Sequence, residues 1–160
     1  MKSIVLLSLL SICVLISNAQ SRKDIKNAGI KKEIEWNYDY TNGKEEKVKN
    51  KEIVYDERGN KIEIYKYNNE GKLKSVESRK YNDENDKIEV VEYKPTGEIK
   101  RKINYKYNED EKLVEEKYYN ASGKLYKTVK YLWDGDFLKT KIVYDNNKRM
   151  KNKSEYEYIK

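Results

Sequence analysis

The stretch Tyr67-Asn68-Asn69-Glu70-Gly71-Lys72-Leu73 decides the fold of this chain. Asn68 stands at the first position of a type I turn, where its short side chain can hydrogen-bond the following backbone. Gly71 stands at the fourth position, which requires a positive φ that glycine adopts without penalty. This is the pattern of a three-residue hairpin loop with a glycine bulge, and it places Tyr67 opposite Leu73.

The same unit recurs along most of the chain. Eight tyrosines precede successive turns, and each is followed six or seven positions later by a large apolar residue. Repetition at a nearly fixed period indicates a repeat architecture. The tyrosines are Tyr55, Tyr67, Tyr81, Tyr93, Tyr107, Tyr119, Tyr131 and Tyr144, and the apolar residues are Ile62, Leu73, Ile88, Ile99, Leu113, Leu125, Phe137 and Met150.

The turn rule also predicts which residues face each other across each hairpin. The predicted pairs are Tyr67–Leu73, Tyr93–Ile99, Tyr119–Leu125 and Tyr131–Phe137. The units at Tyr55 and Tyr81 contain one more residue before the isoleucine, which predicts a longer loop or a bulge there. Glu111 and Lys148 stand where other units have glycine or asparagine, so their turns fit the rule least well.

Segments between the turns have strand length and are rich in Ile, Val, Tyr and Thr. Predicted strands cover residues 31–40, 47–55, 61–67, 72–81, 87–93, 98–107, 112–119, 124–131 and 137–144, and a further strand ends at Tyr158. The prediction is an all-β antiparallel meander of about ten strands, built from hairpin repeats of 12–14 residues. Glu115 and Lys117 share a predicted face with Leu113 and Tyr119, which a thick sandwich core would not tolerate. We expect a single curled sheet; the alternative is an up-and-down β-barrel, since closure would remove the exposed edges.

The start of the chain has the features of a secretory signal peptide, predicted to cover residues 1–19. Lys2 provides a basic start, a long apolar run follows, and small residues surround a cleavage point near Ala19-Gln20. The single cysteine, Cys13, lies inside that run. We expect export to the periplasm or beyond the cell, a flexible leader over residues 20–30, a repeat domain over residues 31–160, and no transmembrane segment in the mature chain.

The composition offers little for catalysis. The chain has no histidine, and its carboxylates are spread along the strands without a nucleophile, base and orienting group standing together. We therefore expect no catalytic residues. The acidic loops at 82–86 and 134–136 lack the spaced ligands of a calcium loop, so no metal or cofactor is expected. The net charge is +7 with both signs interleaved, which favours solvated faces with cross-strand pairs, and nucleic acid is not an expected partner.

Four aromatic residues are not explained by the turn rule. They are Tyr105, Tyr118, Tyr126 and Trp133, and Trp133 lies within a predicted turn. Exposed aromatic rings can stack on sugars or on side chains of a partner protein, and Tyr and Trp are enriched at interfaces. These four are the predicted ligand-binding residues. The tyrosines that precede the turns are assigned instead to covering the sheet and fixing its register.

The stretch Tyr55-Asp56-Glu57-Arg58-Gly59-Asn60 resembles the signature of YD repeats, the tyrosine–aspartate repeats of Rhs-type and teneurin-type secreted proteins. Tyr144-Asp145 is a second, partial match, and the recurrence of Tyr and Gly is also similar to MORN-type hairpin repeats. The resemblance covers roughly residues 36–158 and implies an array of β-hairpins. In the Rhs family long arrays build a shell around a toxin, and this chain is too short for such a shell. Its composition and cleavage site resemble those of small exported proteins of Bacteroidetes-type bacteria.

Three functions are consistent with the sequence. The first is an exported, non-enzymatic repeat protein acting as a protein-interaction or surface-assembly scaffold. The second is a carbohydrate-binding module that uses the exposed aromatic residues, and the third is a hydrolase with paired carboxylates. The expected partner is a protein or an envelope polysaccharide, and the terminal strand edges could pair with another copy to form a homodimer.

Overall fold

The computed structural model of the chain describes residues 21–40 and 43–159, which form one short helix followed by ten strands. Helix α1 spans Arg22–Asn27. The strands are β1 (Lys32–Asp39), β2 (Glu46–Tyr55), β3 (Lys61–Tyr67), β4 (Leu73–Tyr81), β5 (Lys87–Tyr93), β6 (Ile99–Tyr107), β7 (Leu113–Asn120), β8 (Leu125–Asp134), β9 (Phe137–Asp145) and β10 (Met150–Glu155). The predicted signal peptide and its cleavage point lie outside the described residues.

All ten strands belong to one antiparallel sheet, and their order in the sheet is their order in the chain. Each strand pairs with the next through a hairpin, so the predicted all-β meander in a single curled sheet is confirmed. The sheet is not closed, because β1 pairs only with β2 and β10 only with β9. The alternative of an up-and-down barrel is therefore wrong.

The turns adopt the backbone that the repeat predicts. In the turn after Tyr67, the Asn68 amide donates to the Lys72 carbonyl and the Gly71 amide donates to the Asn68 carbonyl, both at 2.9 Å. Glu111 and Lys148 also adopt a positive φ, of 57° and 60°, although neither is glycine or asparagine. Pairing of the flanking strands therefore imposes the turn even where its fourth residue is unfavourable.

The cross-strand register follows the turn rule at seven of the eight tyrosines. The observed pairs are Tyr55–Lys61, Tyr67–Leu73, Tyr81–Lys87, Tyr93–Ile99, Tyr107–Leu113, Tyr119–Leu125 and Tyr144–Met150. The turns after Tyr55 and Tyr81 have the same hydrogen bonds as the others, so they contain no longer loop. A bulge is present in every hairpin, because each strand pair shifts register by one residue.

Two predicted strand ends differ from the structure by more than one residue. Tyr131 pairs with Lys141 and not with Phe137, because β8 continues to Asp134 and the two residues 135–136 alone form the turn into β9. The positive φ of Gly135 permits this tight turn, which shortens the loop and lengthens both strands. The last strand ends at Glu155, three residues before the predicted end.

The buried residues are few and lie mostly on one face of the sheet. Residues paired directly across two strands point to the same face, and successive residues along a strand point to opposite faces. We call the more buried side the packed face; its strand residues that are at most 7% exposed are Ile53, Tyr55, Ile64, Val90, Ile103 and Val129. The other side, the charged face, carries ion pairs such as Lys80–Glu89 and Lys117–Glu115.

Helix α1 covers one corner of the packed face. Ser21 caps it in a reciprocal capping box with Asp24. Ile25 is only 1% exposed and packs with Ile53 and Tyr55 of β2 and with Ile64 of β3. The segment predicted as a flexible leader therefore contains a docked helix.

One end of the sheet carries a row of aromatic hydrogen-bond donors. Each donates to the backbone carbonyl of the residue twenty positions earlier, at 2.8–3.1 Å: Tyr81 to Lys61, Tyr107 to Lys87, Trp133 to Leu113 and Tyr158 to Leu138. The row repeats after two strands, for example over the 26 residues from Tyr81 to Tyr107. The chain is therefore a series of two-strand units, residues 55–80, 81–106, 107–132 and 133–157.

Candidate functional site

The packed face of β6, β7 and β8 carries a group of tyrosines around one carboxylate. Tyr105 lies directly opposite Glu116, which in turn lies opposite Val129. The Tyr118 hydroxyl donates to Glu116 Oε2 at 2.5 Å, and burial together with the charge of the same carboxylate raises the pKa of Tyr131. We call Tyr105, Glu116, Tyr118 and Tyr131 the tyrosine cluster.

Lysine side chains lie over three rings of the tyrosine cluster. The Nζ atoms are 4.5, 3.4 and 5.8 Å from the ring centroids for Lys87 over Tyr105, Lys127 over Tyr118 and Lys141 over Tyr131. Such cation–π contacts are more favourable when the cation is partly desolvated. Burial lowers the pKa of both Lys87 and Lys127, and the Glu116 carboxylate opposes this shift for each. One face of each of these rings is therefore already occupied.

The phenols of the tyrosine cluster keep their protons at neutral pH. Burial raises the pKa of Tyr105 and of Tyr131 to about 12, and the negative charge of Glu116 adds to the effect. Burial and the hydrogen bond to Glu116 also raise the pKa of Tyr118. The cluster therefore presents hydrogen-bond donors and a single carboxylate, and its phenols are poor proton acceptors.

Three of the four predicted ligand-binding residues come together in this region. Tyr105 and Tyr118 belong to the tyrosine cluster, and Tyr126 meets Tyr118 edge to face with 6.2 Å between ring centroids. Tyr126 is the extra residue of the bulge between β7 and β8, and its side chain is 41% exposed. A bulge re-aims a side chain, which explains how Tyr126 reaches a ring on the packed face.

Trp133 lies apart from the other three predicted residues. It belongs to strand β8 and pairs with Leu138, so its predicted place in a turn is wrong. Its indole Nε1 donates to the Leu113 carbonyl at 2.8 Å, as Tyr81 and Tyr107 donate at the same place in the preceding units. This structural hydrogen bond explains why an aromatic residue stands at position 133, so no bound ligand is needed to explain it.

Glu116 and Tyr131 are not among the predicted ligand-binding residues. Alignment of the two-strand units places Glu116 where the preceding units have Val90 and Ile64, both of which are buried. A carboxylate at a position that otherwise buries an aliphatic side chain is the signal that would have found it. Tyr131 is hidden in the sequence because it stands among the tyrosines that precede turns.

Two other carboxylates of the packed face are held in ion pairs. Glu77 contacts Arg79 at 2.6 Å, and Glu92 contacts Arg101 at 2.5 Å. Within the described ranges no group of three or more His, Cys, Asp or Glu residues is placed to hold a metal ion. Over the same ranges, no helix has the length and apolar character needed to cross a membrane.

The exposed large apolar side chains are concentrated at the two edges of the sheet. Eight of the thirteen in the described part of the chain lie on the two edge strands or directly beside them: Ile34, Trp36, Tyr38 and Tyr40 at β1, and Met150, Tyr156, Tyr158 and Ile159 at β10. The other five of this described set lie on the inner strands: Ile88, Ile99, Tyr126, Leu132 and Phe137. The edges therefore differ from the rest of the surface.

A search against known protein families finds no match for this chain, and a search of curated proteins finds none either. Among solved structures, the chain is similar to TarM, with a TM-score of 0.32 and 15% identity over 80% of this chain and 22% of that one. A mutant of S. aureus TarM in complex with Fondaparinux, alpha-GlcNAc-glycerol and UDP gives a TM-score of 0.32 and 14% identity over 72% of this chain and 20% of that one. The chain spans about a fifth of the length of these structures, and a likeness of this size carries no argument about function.

Proposed function

We propose that this protein is an exported, non-enzymatic repeat protein that acts as a protein-interaction or surface-assembly scaffold. The observation that carries the proposal is the concentration of exposed apolar side chains at the two edges of an open sheet. Exposed apolar patches mark interaction sites. Strand edges also offer backbone N–H and C=O groups to a strand of another chain, so both features favour protein partners at the same places.

The tyrosine cluster is compatible with a scaffold. Its carboxylate accepts a hydrogen bond from Tyr118, and lysines occupy one face of its rings. A network whose members satisfy each other stiffens a thin sheet that has no second layer over most of its area. Rigidity of this kind suits a protein whose edges must hold a fixed geometry.

Site-specific photo-crosslinking tests the scaffold proposal. A photoreactive phenylalanine analogue is placed at Trp36 on the β1 edge or, as a matched control, at Ile99 in the middle of the sheet. The two positions are 41% and 42% exposed, so exposure alone cannot distinguish them. We expect protein adducts from position 36 in cells that export the chain, and few from position 99. Equal yields from both positions, or no protein adduct from position 36, would overturn the proposal.

A second candidate, carbohydrate binding, is favoured by Tyr126 alone. Tyr126 is the extra residue of the second bulge in its two-strand unit. The corresponding residue in each of the other three two-strand units is a lysine, namely Lys74, Lys100 and Lys151. An exposed aromatic ring in place of a lysine offers a surface on which a sugar ring can stack.

Retention on envelope polysaccharides and peptidoglycan tests this candidate. Residues 20–160 and a Tyr126→Lys variant are compared at low and high salt; the variant restores the residue of the other units. Retention that survives high salt in the original chain and is lost in the variant supports stacking. Equal, salt-sensitive retention indicates charge attraction by lysines and counts against it, as does a lack of retention.

A further inference from the structure

We infer that the sheet continues from one copy of this chain to the next, with β10 of one copy paired antiparallel to β1 of another. This inference rests on the proposed scaffold function and deepens it, because it names a second copy as the partner. Four observations carry it: strand polarity, the direction of backbone groups at the edges, edge charge and edge apolarity.

The strand number makes the two edges compatible. Ten strands alternate in direction, so β1 and β10 run in opposite directions. A copy whose β1 lies beside β10 therefore meets it antiparallel, as every neighbouring pair inside the chain already does. In the joined sheet, neighbouring strands still alternate in direction, and the packed face and the charged face stay on opposite sides.

Both edges direct backbone groups outward at regular intervals. In an antiparallel pair, alternate residues exchange hydrogen bonds with the partner strand and the residues between them point away. The Tyr55 amide donates to the Lys31 carbonyl at 2.9 Å, which leaves Lys32 and Ile34 directed away from β2. The Tyr156 amide donates to the Lys139 carbonyl at 3.0 Å, which leaves Lys153 and Glu155 directed away from β9. A strand of another copy would satisfy these groups.

The charges of the two edges are complementary. Strand β1 has one lysine against three carboxylates, whereas β10 has two lysines against one carboxylate. Lys148 and Arg149 add two positive charges immediately before β10. Edges of opposite net charge attract each other and edges of like charge repel each other, so β10 with β1 is favoured over β1 with β1 or β10 with β10.

The ion pairs of Lys151 and Glu35 do not prevent such pairing. Lys151 lies 3.5 Å from Asp145, and the Lys151 side chain is 59% exposed. Glu35 pairs with Lys51, and the Glu35 side chain is 40% exposed. Ion pairs at this exposure contribute at most about 1 kcal/mol, so their carboxylates and ammonium groups can be shared with a second copy at little cost.

Apolar side chains at both edges would be covered by the same contact. Ile34 and Trp36 on β1 are 40% and 41% exposed, and Met150 at the start of β10 is 57% exposed. Helix α1 lies against the turn between β2 and β3, where its backbone approaches Gly59, and so does not shield β1. A contact between unlike edges leaves one β1 edge and one β10 edge unpaired after two copies join, so further copies add until the assembly closes into a ring or extends as an open array.

Sedimentation velocity of residues 20–160, which include every described element, tests the inference. We expect the mass of the sedimenting species to rise with protein concentration. Ile34→Pro removes an outward N–H without removing a bond to β2, and it should weaken self-association by roughly tenfold or more. The matched control Ile34→Thr keeps the N–H and the branched side chain; it should weaken association less. Far-UV circular dichroism verifies that each variant keeps its sheet.

Charge reversal distinguishes the joined edges. Glu33→Lys with Glu35→Lys makes β1 basic, and Lys151→Glu with Lys153→Glu makes β10 acidic. Each double variant alone should sediment as a single chain, and an equimolar mixture of the two should associate again, because a basic β1 then meets an acidic β10. Persistent association of the β10 variant alone would indicate β1–β1 pairing and overturn the inference. A wild-type chain that stays single at all concentrations would also overturn it, whereas crosslinks from Trp36 to other proteins would still support the scaffold.

Discussion

Replacing Gly59 by alanine tests how helix α1 is held on the sheet. Gly59 has a φ of +80°, and a Cβ atom there would lie 2.4 Å from the Arg22 carbonyl oxygen and 3.1 Å from the Lys26 amide nitrogen. Both are backbone atoms, so no change of rotamer can remove the clash. Alanine at this position must displace the helix.

The expected loss of stability has two parts. A left-handed backbone costs a residue with a Cβ roughly 1–2 kcal/mol. Displacing the helix also exposes Ile25, whose burial contributes about 1.5–3 kcal/mol. We therefore expect Gly59→Ala to lower the free energy of unfolding by about 2.5–5 kcal/mol. Gly97→Ala is the control, because Gly97 has a φ of +85° and nothing within 4 Å of its Cβ position; it should lose only about 1–2 kcal/mol.

Urea unfolding measures both variants, and limited trypsin digestion reports on the helix itself. Arg22, Lys23 and Lys26 are trypsin sites that docking protects, so Gly59→Ala should accelerate cleavage there and Gly97→Ala should not. The double variant Ile25→Ala/Gly59→Ala should lower the free energy of unfolding by less than the sum of the two single variants, because both substitutions remove the contact between Ile25 and the sheet. Equal losses for Gly59→Ala and Gly97→Ala, with unchanged digestion, would refute the reasoning.

Three further predictions concern turns, the aromatic row and pH. Glu111→Gly should stabilise the chain by about 0.5–1 kcal/mol in urea unfolding, because it relieves a left-handed backbone at a smaller entropic cost; a loss of stability would contradict this. Trp133→Phe removes a hydrogen-bond donor and should lower the free energy of unfolding by about 1 kcal/mol, whereas Tyr126→Phe should change it little. The thermal midpoint should fall as pH rises from 10 to about 12, since Tyr105 and Tyr131 keep in the folded state protons that the unfolded chain releases near pH 10. The Tyr105→Phe/Tyr131→Phe variant should flatten this fall in calorimetry, and a midpoint that rises with pH would contradict the sign.

The sheet is predictable because the residues that determine each hairpin lie close together in the sequence. A turn of the type seen at Asn68 to Gly71 fixes the register of its own hairpin, and repetition extends that register over the chain. The prediction fails at Tyr131, where the tight turn at Gly135 allows three more residue pairs to form. Helix α1 is not predicted because its stability depends on one distant contact, the burial of Ile25 against β2 and β3.

The candidate site is less predictable than the sheet. Tyr105 and Tyr118 come together as neighbours on adjacent strands, and Tyr126 joins them only because of a bulge. The position of a bulge depends on how two strands pair, so it cannot be read from the sequence of one strand. Glu116 becomes visible only when units of two strands, and not of one, are aligned.

The row of aromatic donors limits how a chain of this kind can change its length. Excision of residues 81–106 would join Lys80 to Tyr107, and Tyr107 would take over the hydrogen bond that Tyr81 makes to Lys61. Excision of one strand and its turn would instead reverse every later strand and transfer apolar side chains to the charged face. Insertions and deletions that preserve the fold therefore come in steps of two strands, so such arrays lengthen or shorten during evolution without changing the relative direction of their two edges.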